Sequence, residues 1–259
     1  MKENLSITLI QSDLHWEDQA RNLQMFSEKI ALIPGNTDLI ILPEMFTTGF
    51  SMQPEKFAEG MDGSTIAWMK KQAKENNCVL TGSFACGENG KYYNRLVWMR
   101  PDGTFSYYDK RHLFSMGDEN NHYSAGDKKI IEEIMGWKIC PLICYDLRFP
   151  VWSRNTDGYD LLIYVANWPE RRSHPWKTLL LARAIENQCY AAGVNRIGED
   201  ANGIYHSGDS AVIDPKGEII SNIGPHKEET ETILLNHTEL EEFRKIFPVL
   251  NDADKFEIK

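Results

Sequence analysis

The sequence has no Cys-x-x-Cys pair, no even set of cysteines, no excess of basic residues and no long apolar run. Its five cysteines, Cys78, Cys86, Cys140, Cys144 and Cys189, are an odd set with no disulfide spacing. A disulfide framework is therefore not expected, and the cytoplasm is the expected compartment. Lys and Arg number 28 against 38 Asp and Glu, a formal net charge of -10. Binding to a phosphate backbone needs a basic face, so nucleic acid is not an expected partner. No segment approaches the roughly 20 apolar residues of a membrane helix. The opening stretch has neither a long apolar core nor a small-residue cleavage site, so no membrane association is expected. Low-complexity tracts are absent too. What remains is a chain of 259 residues, 42% hydrophobic and 25% charged, enough for one large domain or two small ones.

What is present reads as one pattern written twice. The first half runs strand Ile7–Gln11, a helix with Leu23, Phe26, Ile30 and Ile33 at helical spacing, and strand Leu39–Leu42. A second helix around Ile66, Met69 and Ala73 leads to strand Val79–Ala85 and a hairpin, Arg95–Tyr108, turning at Pro101-Asp-Gly103. The second half repeats the order. Strand Ile139–Ile143 precedes a helix after Pro150, strand Leu161–Ala166, helix Lys177–Asn187 and strand Tyr190–Asn195. It too ends in a hairpin, 210–220, turning at Pro215-Lys-Gly217. Asp38-Leu-Ile-Ile aligns with Asp160-Leu-Leu-Ile, and Asn77-Cys-Val with Gln188-Cys-Tyr. The unbroken apolar strands suit sheets covered on both faces. Two such halves predict an α/β fold, a four-layer α-β-β-α sandwich in one domain spanning 1–259. Residues 236–259 form a polar tail with one short helix, Glu239–Phe247, suited to packing across a subunit contact.

The duplication also places chemistry. Cys144 closes one apolar strand and opens the run Cys144-Tyr-Asp-Leu-Arg-Phe-Pro150. A thiol there is expected to be exposed on a sharp corner, as nucleophile elbows are. The other four cysteines read as core. Glu44 directly follows an apolar strand, where desolvation strengthens a carboxylate as a base. Lys110 follows the hairpin. Asn167 occupies in the second half the place that Glu44 holds in the first. Ligand sites in open α/β sheets lie beyond the carboxyl ends of strands, so these residues are expected to share one crevice. Asp118 and Glu119 read as loop acids. His112 and His122 lack the spacing of a metal site, so no metal is expected. His112 as a base for Cys144 remains an alternative to Glu44.

Leu42-Pro-Glu44, Lys110-x-His-Leu-Phe114 and Cys144-Tyr-Asp-x-Arg-Phe-Pro150, in this order, resemble the nitrilase superfamily of carbon–nitrogen hydrolases. The resemblance covers essentially the whole chain. It implies the same sandwich fold, catalytic roles for Glu44, Lys110 and Cys144, an additional acid at Glu119, and a homodimer or dimer of dimers. Ala166-Asn-Trp-Pro-Glu-Arg-Arg172 and Lys177–Gln188 resemble the ω-amidase branch, which hydrolyses the terminal amide of 2-oxoglutaramate and 2-oxosuccinamate. The run Phe114-Ser-Met-Gly-Asp118 departs from the aspartate that commonly follows Leu-Phe in eukaryotic members.

The implied chemistry needs no cofactor. Glu44 takes the thiol proton, Cys144 attacks the amide carbon, and the oxyanion lies between the Lys110 ammonium and the Tyr145 N–H. Glu119 orients Lys110. A small-molecule amide with a remote carboxylate needs a cationic clamp, and Arg148, Arg171 and Arg172 are candidates, with Asn167 and Trp168 beside them. An N-carbamoyl amino acid amidase would need the same clamp. A nitrile hydrolase and a non-catalytic interaction protein are the other readings.

Overall fold

The computed structural model describes residues 4–258. Two sheets stack face to face. The first has the order β13-β1-β2-β3-β4-β5, built from β1 (Leu5–Gln11), β2 (Leu39–Ile41), β3 (Val79–Glu88), β4 (Lys91–Met99), β5 (Phe105–Asp109) and β13 (Glu229–Leu235). The second has the order β12-β9-β8-β7-β6, from β6 (Glu132–Ile134), β7 (Trp137–Ile143), β8 (Leu161–Ala166), β9 (Tyr190–Asn195) and β12 (Ala211–Ile213). A separate ribbon pairs β10 (Ile197–Glu199) with β11 (Tyr205–Ser207). Helices α1 (Gln19–Ala31) and α3 (Ser64–Asn76) cover the first sheet, and α6 (Ser173–Asn187) covers the second. Short helical turns α2 (Pro54–Phe57), α4 (Glu119–His122) and α5 (Pro150–Ser153) lie between, and α7 (His237–Ile246) follows β13. This is the four-layer α-β-β-α sandwich expected from the sequence.

Strand alternation explains why the strands are apolar on both faces. Leu39 and Ile41 of β2 point into the central core with Leu96 and Trp98 of β4. Ile40, Leu42, Val97 and Met99 point the other way, into a second core with Phe26, Ile66 and Met69 of the helices. Each such side chain removed from water contributes about 1.5–3 kcal/mol. On the second sheet Gly193 lets α6 come close. A Cβ there would lie 2.5 Å from Leu180 Cδ1 and 2.7 Å from the Trp176 ring.

The halves match in detail. In each sheet three parallel strands are flanked by antiparallel neighbours: β13 and β4 around β1-β2-β3, β6 and β12 around β7-β8-β9. Helices α3 and α6 end alike, on Asn77 and Gln188 in the left-handed region, with φ of 48° and 43°. The next amide then bonds back into the helix, Cys78 N to Ala73 O at 3.2 Å and Cys189 N to Ala184 O at 3.3 Å.

Several expectations need correction. Strand β13 was not expected; it comes from the end of the chain to pair with β1, Leu5 opposite Leu235. Its sequence, Glu229-Thr-Glu-Thr-Ile-Leu-Leu235, alternates too weakly to announce a strand. The β10–β11 ribbon was not expected either. The helix after Pro150 is a single turn, because Arg154 is already extended. The tail helix starts two residues early, at His237, capped by Asn236, whose side chain accepts from Glu239 N at 3.2 Å. It is tied to its own chain: Arg244 bonds Asp160 Oδ1 at 2.7 Å and Gln188 O at 2.8 Å. Lys259 lies outside the described residues. Among the described residues no helix is long and apolar enough to cross a membrane.

Candidate active site

Glu44 lies just beyond β2, Lys110 just beyond β5, Glu119 at the start of α4, and Cys144 directly after β7. All are buried; Glu44, Lys110 and Glu119 are 0% exposed and Cys144 is 9% exposed. The Lys110 ammonium donates to Glu44 Oε1 at 2.8 Å and to Glu119 Oε2 and Oε1 at 2.9 and 3.1 Å. Burial alone would weaken its hold on the proton, but Glu119 and then Glu44 outweigh that and keep it charged. Glu119 is pushed up, chiefly by burial. Lys110 opposes that shift and Glu44 adds to it, as expected where two carboxylates share one cation. The Cys144 thiol is pushed well up by burial and then by the Glu44 charge, to which it hydrogen-bonds, with Lys110 pulling the other way. At rest the sulfur therefore keeps its proton and needs a base to lose it.

Local structure explains how a thiol sits at this corner. Cys144 has φ of 42°, a strained value for a residue with a side chain. A 3-10 turn, Cys144–Arg148, begins there. Asp146 holds the turn: its carboxylate accepts from Ile143 N at 3.1 Å, Tyr108 OH at 2.7 Å and His112 N at 3.1 Å. Arg183 of α6 secures the far side by donating to Leu147 O at 2.6 Å. The expectation of an exposed corner was wrong. The polar residues after Cys144 do not carry it into solvent, because Asp146 is itself fully buried and satisfied by partners from β5 and the loop after it. Glu119 is likewise no loop acid. Its Oε2 accepts from Phe114 N at 2.6 Å inside the protein.

The cavity above the thiol measures about 150 Å³. Glu44, Lys110 and Cys144 lie at its floor, and Tyr145, Arg148, Asn167, Trp168, Arg171 and Arg172 all line it. Glu119 stands behind Lys110. Asn167 N donates to Glu44 Oε2 at 2.8 Å, so the counterpart positions of the two halves touch. Trp168 is fixed by Asn195, which accepts from Trp168 N at 2.7 Å and donates to its carbonyl at 2.9 Å. Arg148 lies over the Trp168 ring, 5.0 Å from its centre, and Arg172 over the Phe114 ring at 5.1 Å. Burial, then Arg171, loosens the Arg172 proton. His112 does not line the cavity. Its Nδ1 pairs with Asp146 Oδ1 at 2.7 Å and its ring stacks on Phe149 at 3.8 Å, so the alternative histidine base is held elsewhere.

Sequence reasoning missed Asn94, Asp146, Asn195 and the wall formed by Asp200, Asn202, Ile204 and His206. Asn195 was findable in principle as a lone amide closing an otherwise apolar strand, whereas Asn94 lies in a strand of mixed polarity that carried no such signal. The wall carried no signal, since the ribbon that presents it was unforeseen. Among the described residues one group has metal-ligand spacing, Asp160, His237 and Glu241. It lies under α7, away from the cavity, and Arg244 already neutralises Asp160.

Fold and site together define an amide-cleaving hydrolase with a buried Cys-Glu-Lys cluster. The chain belongs to the carbon–nitrogen hydrolase family, whose model matches residues 6–245. It is 48% identical over 254 residues to the ω-amidase YafV of Escherichia coli K12, covering 98% of each chain. It is 34% identical to the 2-oxoglutaramate amidase of Bacillus subtilis, over 96% of this chain and 98% of that one. Its structure matches XC1258 of Xanthomonas campestris, a CN-hydrolase superfamily protein with an arsenic adduct in its active site. The TM-score is 0.97 at 43% identity, covering 99% of this chain and 100% of that one.

Proposed function

We propose that this carbon–nitrogen hydrolase is an ω-amidase. It cleaves the terminal amide of a small 2-oxo dicarboxylic acid monoamide, such as 2-oxoglutaramate or 2-oxosuccinamate, to the acid and ammonia. One observation carries the choice of substrate. Arg148, Arg171 and Arg172 converge on a cavity floored by a thiol, and none of them has a carboxylate partner among the described residues. In an acidic chain, unpaired guanidiniums at a ligand cavity call for an anion. The likeness to ω-amidases supports the same reading.

Cys144, Glu44 and Lys110 are the catalytic residues of this proposal. Glu44 takes the thiol proton as sulfur adds to the amide carbon. The oxyanion is met by the Lys110 ammonium and the Tyr145 N–H. The C–N bond then breaks, nitrogen leaves as ammonia with the proton from Glu44, and a thioester remains on Cys144. Glu44, again a carboxylate, takes a proton from water, which adds to the thioester. Collapse releases the acid and returns the proton to sulfur. Glu119 keeps Lys110 charged and in place. Asn167 and Trp168 shape the wall on which Arg148 rests. No metal or cofactor enters the scheme. The reading includes one catalytic domain over 1–259, a cytoplasmic location, and a homodimer or dimer of dimers, closed two-fold pairing being the commonest soluble assembly.

The test is ammonia release from 2-oxoglutaramate, 2-oxosuccinamate, an N-carbamoyl amino acid, a nitrile and a neutral amide of similar length. The 2-oxo amides should exceed the neutral amide in kcat/KM by roughly 10–100-fold, the worth of a charge-assisted bond. Faster release from the N-carbamoyl amino acid would move the assignment to that class.

A further inference from the structure

Lys110 is not the only group that spans the two buried carboxylates. Asn94, in β4 and 0% exposed, donates through Nδ2 to Glu44 Oε1 at 2.8 Å and to Glu119 Oε1 at 3.1 Å. Its own carbonyl accepts from Lys110 N at 3.0 Å. It does not line the cavity. Its Oδ1 is buried and has no hydrogen-bond partner. Turning the amide over would aim that oxygen at two carboxylates, so the chemistry of its neighbours fixes its orientation. A buried acceptor left unmade is unfavourable. The fold tolerates it where the amide's two hydrogens meet two anions.

We propose that Asn94 is a positioning residue for the reaction, a neutral double donor that keeps the Glu44 and Glu119 carboxylates ionised and Glu44 aimed at Cys144. The physical need is clear. Two carboxylates in a dry site share one ammonium, and such a group gains a proton unless further donors hold it ionised. The other charged or titratable groups facing the pair are Lys110 from the end of β5, Cys144 from the turn after β7, and Tyr123 at the end of α4. Arg148 and Arg172 stand above, at the cavity wall. None of these can replace Asn94, because Lys110 already serves both acids. The proposal rests on the assignment of Glu44 as the base.

The experiment measures kcat and KM against pH for Asn94→Ala, Asn94→Ser and Asn94→Asp, with Glu44→Gln alongside and thermal melting as a check of folding. Asn94→Ala should lower kcat by on the order of 10²-fold, the cost of a small misplacement of a reacting group, with KM nearly unchanged. Its acid limb should move to higher pH, since the carboxylates lose a donor that favours their charged form. Asn94→Asp adds a third acid and should move the limb further. Asn94→Ser keeps one hydroxyl donor and should recover part of both effects; it carries the comparison if Asn94→Ala does not fold. A folded Asn94→Ala or Asn94→Ser enzyme with the parent acid limb overturns the proposal. If Glu44→Gln is inactive in that case, the base assignment stands and only the role of Asn94 falls. If Glu44→Gln turns over normally, the base assignment fails and the role of Asn94 falls with it.

Discussion

The first half of the chain places Glu44 beyond its second strand, Lys110 beyond its hairpin and Glu119 on the next helical turn. The second half places Cys144 beyond strand β7, Asn167 beyond β8 and Asn195 at the end of β9. All the buried charge at the floor thus belongs to one half, and the thiol and the amides Asn167 and Asn195 to the other. The division has a physical logic. Charges taken out of water must be paired at close range, and Glu44 and Lys110, beyond strand ends of a single sheet, and Glu119, on the helical turn that follows, reach one another at 2.8 to 2.9 Å. The halves then meet through hydrogen bonds: Asn167 N to Glu44, at matched positions, with Tyr108 OH to Asp146 and Ser210 N to Gln11 Oε1 at 3.0 Å beside it. A duplicated scaffold that puts equivalent strand ends side by side can load them differently. In the proposed reaction one set carries the proton and charge chemistry, and the other carries the bond that is made and broken.

The strongest way to break this division is to ask whether the base comes from the charged half. Glu44→Gln keeps the shape and removes the basicity. It should lower kcat by roughly 10²–10⁴-fold, the range for loss of a general base. His112→Asn, at a side chain bonded to Asp146 and stacked on Phe149, should cost far less. Steady-state ammonia release from both variants decides the matter, and the reverse ranking would move the base to the Asp146–His112 pair.

A smaller effect sharpens the role of the second half in binding. Arg172 is half-buried beside Phe114, whereas Arg171 is exposed. Arg172→Met should raise KM for a 2-oxo ω-amide by roughly 10-fold or more and leave kcat nearly intact, as expected when a contact acts equally in ground and transition states. Arg171→Met should do less. Equal KM values for Arg172→Met, Arg171→Met and the parent would place the carboxylate elsewhere.

The smallest effect concerns a buried histidine of that half. His206, on β11, also lines the cavity, and burial and then Arg196 push its pKa down to about 4 from 6.5. In the unfolded chain it takes a proton near 6.5, and in the folded chain not until about 4. Between those values the unfolded state binds more protons, so stability falls as the pH drops through the window, by up to about 3 kcal/mol from this one group. His206→Gln should lose less stability than the parent between pH 6.5 and 4 in urea unfolding. An identical loss would show that acid unfolding is set elsewhere.

Much of this division was readable in the sequence, for reasons that also mark its limits. Glu44 and Cys144 stand out because a charged or polar run abruptly ends an apolar strand, and strand ends are where α/β folds hold ligands. The matched helix ends at Asn77 and Gln188 made the duplication visible. Asn94 was hidden because Lys91-Tyr-Tyr-Asn94 looks like an ordinary alternating hairpin strand, and only the tertiary fold shows that this alternate position faces two acids. Burial of Asp146 and Glu119 was misjudged for a related reason. A carboxylate in a local run of polar residues reads as solvated until partners from distant segments, Tyr108 and His112 for one and Lys110 for the other, are brought against it. Strand β13 and the β10–β11 ribbon depend on pairings with distant segments and leave little local pattern.

In the proposed reaction, sulfur from the second half forms the bond while charge from the first half moves the proton. The most direct test is the intact mass of the enzyme quenched in acid during turnover of a 2-oxo ω-amide, followed by peptide mapping. An added mass equal to the acyl group is expected, located on the peptide that carries Cys144. The adduct should be absent in a folded but inactive Cys144→Ala variant, and its formation should be slowed in Glu44→Gln. An acyl adduct on any other residue, or normal ammonia release by Cys144→Ala, would contradict it.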